Sequence, residues 1–333
     1  MTASDLIGER FDSALIASAR SGDEQSFVRL TSPHRSALHA HCYRLLGSLH
    51  DADDALQETL LRAWRGIDGF EPRAPLAAWL YRIATNVCLR SLEQRKRHAA
   101  ATIDAHLEPY PELLLEELPS PERGPDALIE EREAIGLAFV AAMQLLPAKQ
   151  RAVLVLRDVL GWSSREVAGL LDDSVPAVNS ALQRARLRLE RERSEQSLAR
   201  THEPSDARAE AAVMRKFQEA WDAVDIDGIV ELLADDALLT MPPEGARIAG
   251  AQAIGAFFAT QPLQGRLDRI HLRPARANGQ PALAAYADEH EDGRFDAYGL
   301  MVFAIGGDTI VGITGFPRQP ELFARLGLPV RLG

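Results

Sequence analysis

Asn179, Gln183 and Arg186 recur at steps of three and four, and Arg184, Arg188 and Arg191 form a second stripe beside them. On a helix the two stripes lie side by side. The chemistry open to them is non-covalent: amide side chains pair with adenine edges, and guanidinium groups pair with guanine edges or phosphates. Val175, Val178, Leu182, Ala185 and Leu189 supply the apolar face that would seat such a helix. Ser174 is its cap, and Pro176 is tolerated in its first turn. Upstream, Pro147 precedes a helix that Gly161 ends. Ser163 followed by Glu166 spells a capping box for a short second helix, and Asp172 and Asp173 make the next turn. The spacing predicts a helix-turn-helix that presents Ser174, Asn179, Ser180, Gln183, Arg184, Arg186 and Arg188 outward. The bland alternative is a bundle helix with a solvated basic face.

A second set lies between residues 51 and 98. Leu56, Leu60, Ala63, Trp64 and Ile67 share the core face of one helix, and Asp53, Asp54, Gln57, Glu58 and Leu61 cluster on another. Acidic residues in a first turn suit the helix dipole. A leucine beside them does not follow from that, and fits a docking patch. After a loop, 68–75, the stretch Leu76 to His98 reads as a helix with Leu80, Ile83, Ala84, Val87 and Leu92 inward. Arg82, Asn86 and Arg90 lie outward at steps of four, and Arg95, Lys96 and Arg97 close the helix. Cations beside a loop bearing Phe70 and Arg73 suit single-stranded or melted DNA, with phosphate on the cations and bases on the ring. Trp79 falls beside Ile83 and is expected in the core.

These elements need a scaffold. The chain has 333 residues, enough for several domains, and a net charge of −11, so any nucleic-acid contact must be local. Cys42 and Cys88 read as buried thiols of a reducing compartment, with neither disulfide nor metal expected. No signal-peptide pattern or membrane-length apolar run is read, so a cytoplasmic location is expected. Residues 99–134 hold ten acidic side chains against Arg123 and Arg132, with five prolines, and read as an extended acidic linker. Leu113, Leu114, Leu115 and Leu118 are unusual in a spacer and suggest docking, for instance on the C-terminal domain.

After a polar break at 196–208 the pattern changes. Helices are expected over 209–224, 227–233 and 250–260, and strands over 238–241, 267–276, 281–289, 296–305 and 309–316. Asn278–Gly279, Asp292–Gly293 and Gly306–Gly307 are hairpin signals. This is an α+β layout with a bent antiparallel sheet. Trp221, Met241, His271, Asp296 and Tyr298 are the candidate pocket residues, with the inward face of the 296–305 strand left open.

The strings Asp51-Ala-Asp-Asp-Ala-Leu-Gln-Glu-Thr59 and Ala78-Trp-Leu-Tyr-Arg-Ile-Ala-Thr-Asn86, followed by a helix-turn-helix, resemble the extracytoplasmic-function sigma factors. The resemblance covers about residues 1–195. It implies domain two at 1–98, a linker at 99–134 and domain four at 135–195. In such factors the face with Asp53, Asp54, Gln57, Glu58 and Leu61 meets the clamp helices of core RNA polymerase, and the flap is a further partner region. The 69–75 loop with Arg82 and Asn86 captures an unpaired base of the minus-ten element, and Arg95 to Arg97 lie on promoter phosphates. The 209–333 region resembles the SnoaL-like cone, here as a regulatory domain, through its layout and Leu239-Thr-Met-Pro-Pro243. No catalytic residue or cofactor is expected. A separate anti-sigma protein stays open as a partner. The rival readings are a helix-turn-helix regulator that works without polymerase, and a DNA-anchored small-molecule-binding or isomerase-like enzyme.

Overall fold

The computed structural model describes residues 13–71, 75–98, 107–118, 136–195, 207–242 and 245–332. These residues divide into two compact units. One is drawn from Met1–Ala101, Leu114–Ile135 and Phe139–Leu189, the other from Thr102–Leu113, Gly136–Ala138 and Glu190–Gly333.

The first unit is all-helical. Helices α1 (Ser13–Arg20) and α2 (Glu24–Thr31) lead into α3 (Arg35–Leu46), α4 (Leu49–Gly66) and α5 (Leu76–His98). α3 is buried on every side from Ala37 to Leu46, as a helix at the centre of a bundle must be. Gly47 ends it at φ 76°, a left-handed conformation that glycine adopts without strain. Ser48 then caps α4 by accepting the Asp51 N–H. Cys42 and Cys88, distant in sequence, are neighbours where α3 meets α5, and both are free thiols. Burial, then the Cys42 thiol beside it, pushes the Cys88 thiol well up.

A short helix α6 (Glu112–Glu116) crosses the linker where extended chain was expected. Then come α7 (Leu137–Gln144), α8 (Ala148–Leu154, prolonged by a π turn over Val155–Val159), α9 (Ser164–Leu171) and α10 (Val175–Glu195). The capping box at Ser163 and Glu166 forms as expected. Asp172 takes the left-handed cap at φ 54° where glycine is commoner, which aspartate tolerates through its short polar side chain.

The second unit sets α11 (Ala207–Asp222), α12 (Ile226–Glu231) and α13 (Ala251–Thr260) against one face of a six-stranded sheet. Its strands are β1 (Leu233–Met241), β2 (Ala246–Ala249), β3 (Ile270–Ala277), β4 (Gln280–Ala287), β5 (Asp296–Gly306) and β6 (Thr309–Pro317), with a last helix α14 (Glu321–Arg325). The order is β2-β1-β6-β5-β4-β3. The expected sheet was purely antiparallel. In fact β1 and β6, first and last of the long strands, pair in parallel, because the intervening chain brings them side by side running the same way. β1 also begins five residues before the expected strand, and β2 is additional. The Asn278–Gly279 hairpin has both residues at positive φ, 57° and 70°, as a type I′ turn requires.

Candidate polymerase and nucleic-acid interfaces

On α4, Asp53, Asp54 and Gln57 are exposed, Glu58 is half-exposed, and Leu61 is 50% exposed. The structure brings all five residues to one surface. Asp53 is 3.1 Å from His39 Nε2, Asp54 is 3.7 Å from His50 Nε2, and Glu58 accepts from Arg62 Nε at 2.6 Å. The patch is thus an apolar side chain within fixed negative charge, suited to a basic, grooved partner.

On α5, Arg82, Asn86 and Arg90 are exposed at successive turns. Phe70 corrects an expectation. It is 2% exposed, packs on Trp79 at 5.2 Å between ring centroids, and its carbonyl accepts from Arg20. A ring buried in this way cannot be a platform for bases. Trp79 itself is half-buried rather than core. Arg95 is engaged by Asp51 and only 22% of its side chain is exposed. Arg73 lies outside the described residues, as do the side chains of Lys96 and Arg97.

α10 buries Val178, Ala181, Leu182 and Ala185 and exposes Asn179, Ser180, Gln183, Arg184, Leu187 and Arg188. The seating face is therefore narrower than the sequence pattern, since Val175 is exposed at the helix start, where no neighbouring turn covers it. Ser174 works as the cap, accepting the Ala177 N–H at 3.3 Å. Arg186 is held in a two-bond fork by Asp158 at 2.9 and 2.7 Å, so its guanidinium braces α10 against the π turn. Asn179 accepts the Ser164 hydroxyl at 2.6 Å. Neither brace was foreseen: Ser164 sits beside the capping serine and looks redundant, and Asp158 carries no local pattern.

The two helical regions also lock together. Arg151 of α8 is 5% exposed and donates to the carbonyl of Leu45 at the end of α3, to Gln144 Oε1, and to the carbonyls of Gln144 and Leu146 at 2.8 and 3.2 Å. Burial, then the charge of Arg95, pulls its pKa down to about 10, which still leaves it cationic near neutrality. Tyr81 of α5 meets Trp162 edge-on at 5.7 Å and also meets His41 edge-on at 5.0 Å.

In the second unit the candidate pocket residues part company. Trp221 and Met241 lie in the core, where Phe217 packs on Trp221, Phe258 and Phe303, and the Trp221 indole N–H donates to Ile270 O at 3.1 Å. His271 is exposed and lies 4.1 Å from the Phe295 ring. Asp296 pairs with Arg331 at 2.5 Å, and that bond holds its carboxyl below the usual range, opposite to what an acid catalyst needs. Tyr298 packs on the helix-side core with Met301 and Phe303, away from Leu300 and Val302. Simple alternation would put Asp296, Tyr298, Leu300 and Val302 on one face; a register shift at Ala285/Tyr286, facing Gly299 and Ala297, breaks it.

What the cone does hold is its own linker. Tyr110 N–H donates to Asn278 Oδ1 at 2.7 Å, and Asn278 N–H donates back to Tyr110 O at 2.8 Å. Pro111 bridges Ala277, and Glu112 accepts from the Gly279 N–H at 3.1 Å. Leu107, Pro109, Tyr110 and Pro111 are buried, while Leu113 is exposed and Leu114, Leu115 and Leu118 are half-buried. Docking by the leucines is thus partial: Leu113 reaches Gly327 of the C-terminal domain, but the buried part of the segment is Leu107 with Pro109, Tyr110 and Pro111. Prolines keep the segment extended, and the tyrosine ring supplies more contact area per residue than the leucines after it.

Residues 30–98 match the family model described as Sigma-70 region 2, and residues 136–189 match Sigma-70, region 4. The chain is 40% identical over 328 residues to the ECF RNA polymerase sigma factor SigG of Mycobacterium tuberculosis, covering 94% of this chain and 86% of that one. The chain belongs to the extracytoplasmic-function sigma factors. This sigma factor is also 35% identical to CnrH of Cupriavidus metallidurans over 184 residues, 54% of this chain and 93% of CnrH. Among solved structures, the sigma factor SigJ of Mycobacterium tuberculosis superposes with a TM-score of 0.62 at 23% identity, covering 89% of this chain and 97% of that one. That share is too large to leave out the cone, so the likeness extends to its SnoaL-like fold. Among the described residues no helix is long and apolar enough to cross a membrane.

Proposed function

We propose that this sigma factor binds core RNA polymerase through the exposed α4 face, melts and captures the minus-ten strand along Arg82, Asn86 and Arg90, and reads the minus-thirty-five element with α10. It works in the cytoplasm with its polymerase. Domain two (1–98) and domain four (135–195) act on DNA, and the 209–333 cone regulates them through the 99–134 linker. The observation that carries this regulatory reading is the reciprocal pair of hydrogen bonds between Tyr110 and Asn278. The cone is thus a receptor for a peptide of its own chain rather than an enzyme.

Promoter geometry supports the same reading. The two elements stand about 25 base pairs apart, roughly 85 Å at about 3.4 Å each. Here the domain-two and domain-four rings of Tyr81 and Trp162 are 5.7 Å apart, so the two regions must part before both elements are read. A cone that grips the linker controls how much chain is free for that separation.

The test is run-off transcription with core polymerase and the full chain, wild type against Asn278→Gly. Glycine keeps the positive φ of the turn and removes the Asn278 side chain, the acceptor for the Tyr110 N–H included. A changed transcript yield is expected. An unchanged yield, with hydrogen exchange showing the Tyr110 amide released, would remove the cone as regulator.

A further inference from the structure

The bond between Ser164 and Asn179 joins the first residue of α9 to the second turn of α10, across the helix-turn-helix. Ser164 is half-buried and Asn179 exposed, so the bond sits at the rim of the surface that α10 presents to solvent. Its geometry decides which end of the amide faces outward. At 2.6 Å the Ser164 hydroxyl donates to Asn179 Oδ1, which turns Oδ1 toward α9 and leaves the Nδ2 hydrogens pointing away from it.

An asparagine reads adenine with both ends of its amide at once: Oδ1 accepts from N6 while Nδ2 donates to N7. With one of its two lone pairs held toward α9, Oδ1 is biased away from sharing one base edge with Nδ2. What remains outward is a pure donor. Guanine presents two acceptors side by side, N7 and O6, and fits that donor. We propose that Ser164 is a positioning residue that sets the base preference of Asn179, steering it from adenine to guanine in the minus-thirty-five element. Arg186 is taken out of reading in the same way by Asp158, which leaves Asn179 and Gln183 as the polar readers on that stripe of the helix. The inference rests on α10 being the helix that reads that element.

The test is binding of the full-chain holoenzyme to promoter duplexes randomised across the minus-thirty-five element, followed by sequencing of the bound fraction. Wild type, Ser164→Ala, Ser164→Thr, Asn179→Ala and the Ser164→Ala/Asn179→Ala double variant are compared. Ser164→Ala is expected to move the preference at one position from guanine towards adenine by about tenfold, the lower part of what one two-bond base contact is worth. Asn179→Ala erases discrimination at that position, and the double variant matches it. Ser164→Thr keeps the hydroxyl and restores the wild-type preference, a rescue that a merely structural role would not give at a single base. If Ser164→Ala lowers binding evenly at all positions, or leaves the preference intact while Asn179→Ala changes it, the positioning role is wrong. If Asn179→Ala alters no position, the reading of α10 falls with it.

Discussion

Arg184 and Arg186 are two residues apart on α10 and do different work. Arg186 is forked to Asp158, whereas Arg184 and Arg188 stand exposed on the neighbouring stripe. Arg184→Ala should therefore weaken minus-thirty-five binding by about 1–3 kcal/mol, and the loss should depend on the base it faces. Arg186→Ala should cost less, since an exposed ion pair contributes about 1 kcal/mol or below to holding the helix. Equal, sequence-independent losses for both, with a shallower salt dependence, would instead make them phosphate contacts. His41 gives a second prediction at this scale. The Thr85 hydroxyl donates to Tyr81 O at 2.7 Å, so at 2.9 Å it accepts from His41 Nε2, and the buried ring is neutral. Burial, then Arg44, pulls its pKa from 6.5 to about 3, and burial lowers His34 and His39 as well. The unfolded chain takes up these protons first. Stability is complete above pH 6.5 and falls as pH drops from there towards 3, by roughly 3 kcal/mol at pH 4 for His41 alone. Melting temperature against pH should show this decline, and His41→Phe should flatten it. An equally steep decline in that variant would contradict the assignment.

At the scale of elements, Arg151 is the joint between α8 and α3. Its cation satisfies three main-chain carbonyls where helices end, and removing it leaves buried acceptors without donors. Arg151→Met keeps the apolar stem, so the expected loss of about 3 kcal/mol in urea unfolding isolates the guanidinium. A midpoint that does not move would mean water replaces it freely. Most of these elements were legible in advance, for a physical reason. α4, α5 and α10 are long, periodic and bounded by local signals, Gly47, Ser48 and Ser174, which act within a few residues. The helix-turn-helix and the 278–279 turn were legible for the same reason. What was not legible depends on partners distant in the chain. Phe70 looks like an exposed loop aromatic until Trp79 and Arg20 fold over it. Tyr298 keeps its alternation until a bulge opposite Tyr286 shifts it. Glu112 and Tyr110 find Gly279 and Asn278 across more than 160 positions, a pairing no local pattern encodes.

For the whole molecule, the two helical regions proposed to act far apart on DNA touch through Tyr81 and Trp162 and through Arg151 and Leu45, and the chain that links them is held at Tyr110 and Glu112 by the 209–333 domain. Freeing the linker should then be measurable without DNA. In Asn278→Gly the amide of Tyr110 loses its acceptor, and its hydrogen exchange should quicken by about fivefold to tenfold, matching about 1 kcal/mol for one bond. Unchanged exchange would mean that Pro111 and Glu112 hold the segment alone. The most direct test of the central claim is run-off transcription on the promoter upstream of its own gene, with core polymerase alone, with the wild-type chain, and with Asn278→Gly. No specific transcript is expected from core alone, a transcript when the chain is added, and a different yield with the variant. Tight, specific duplex binding by the chain without polymerase, and no transcript with it, would contradict the account and favour a regulator that never docks on polymerase.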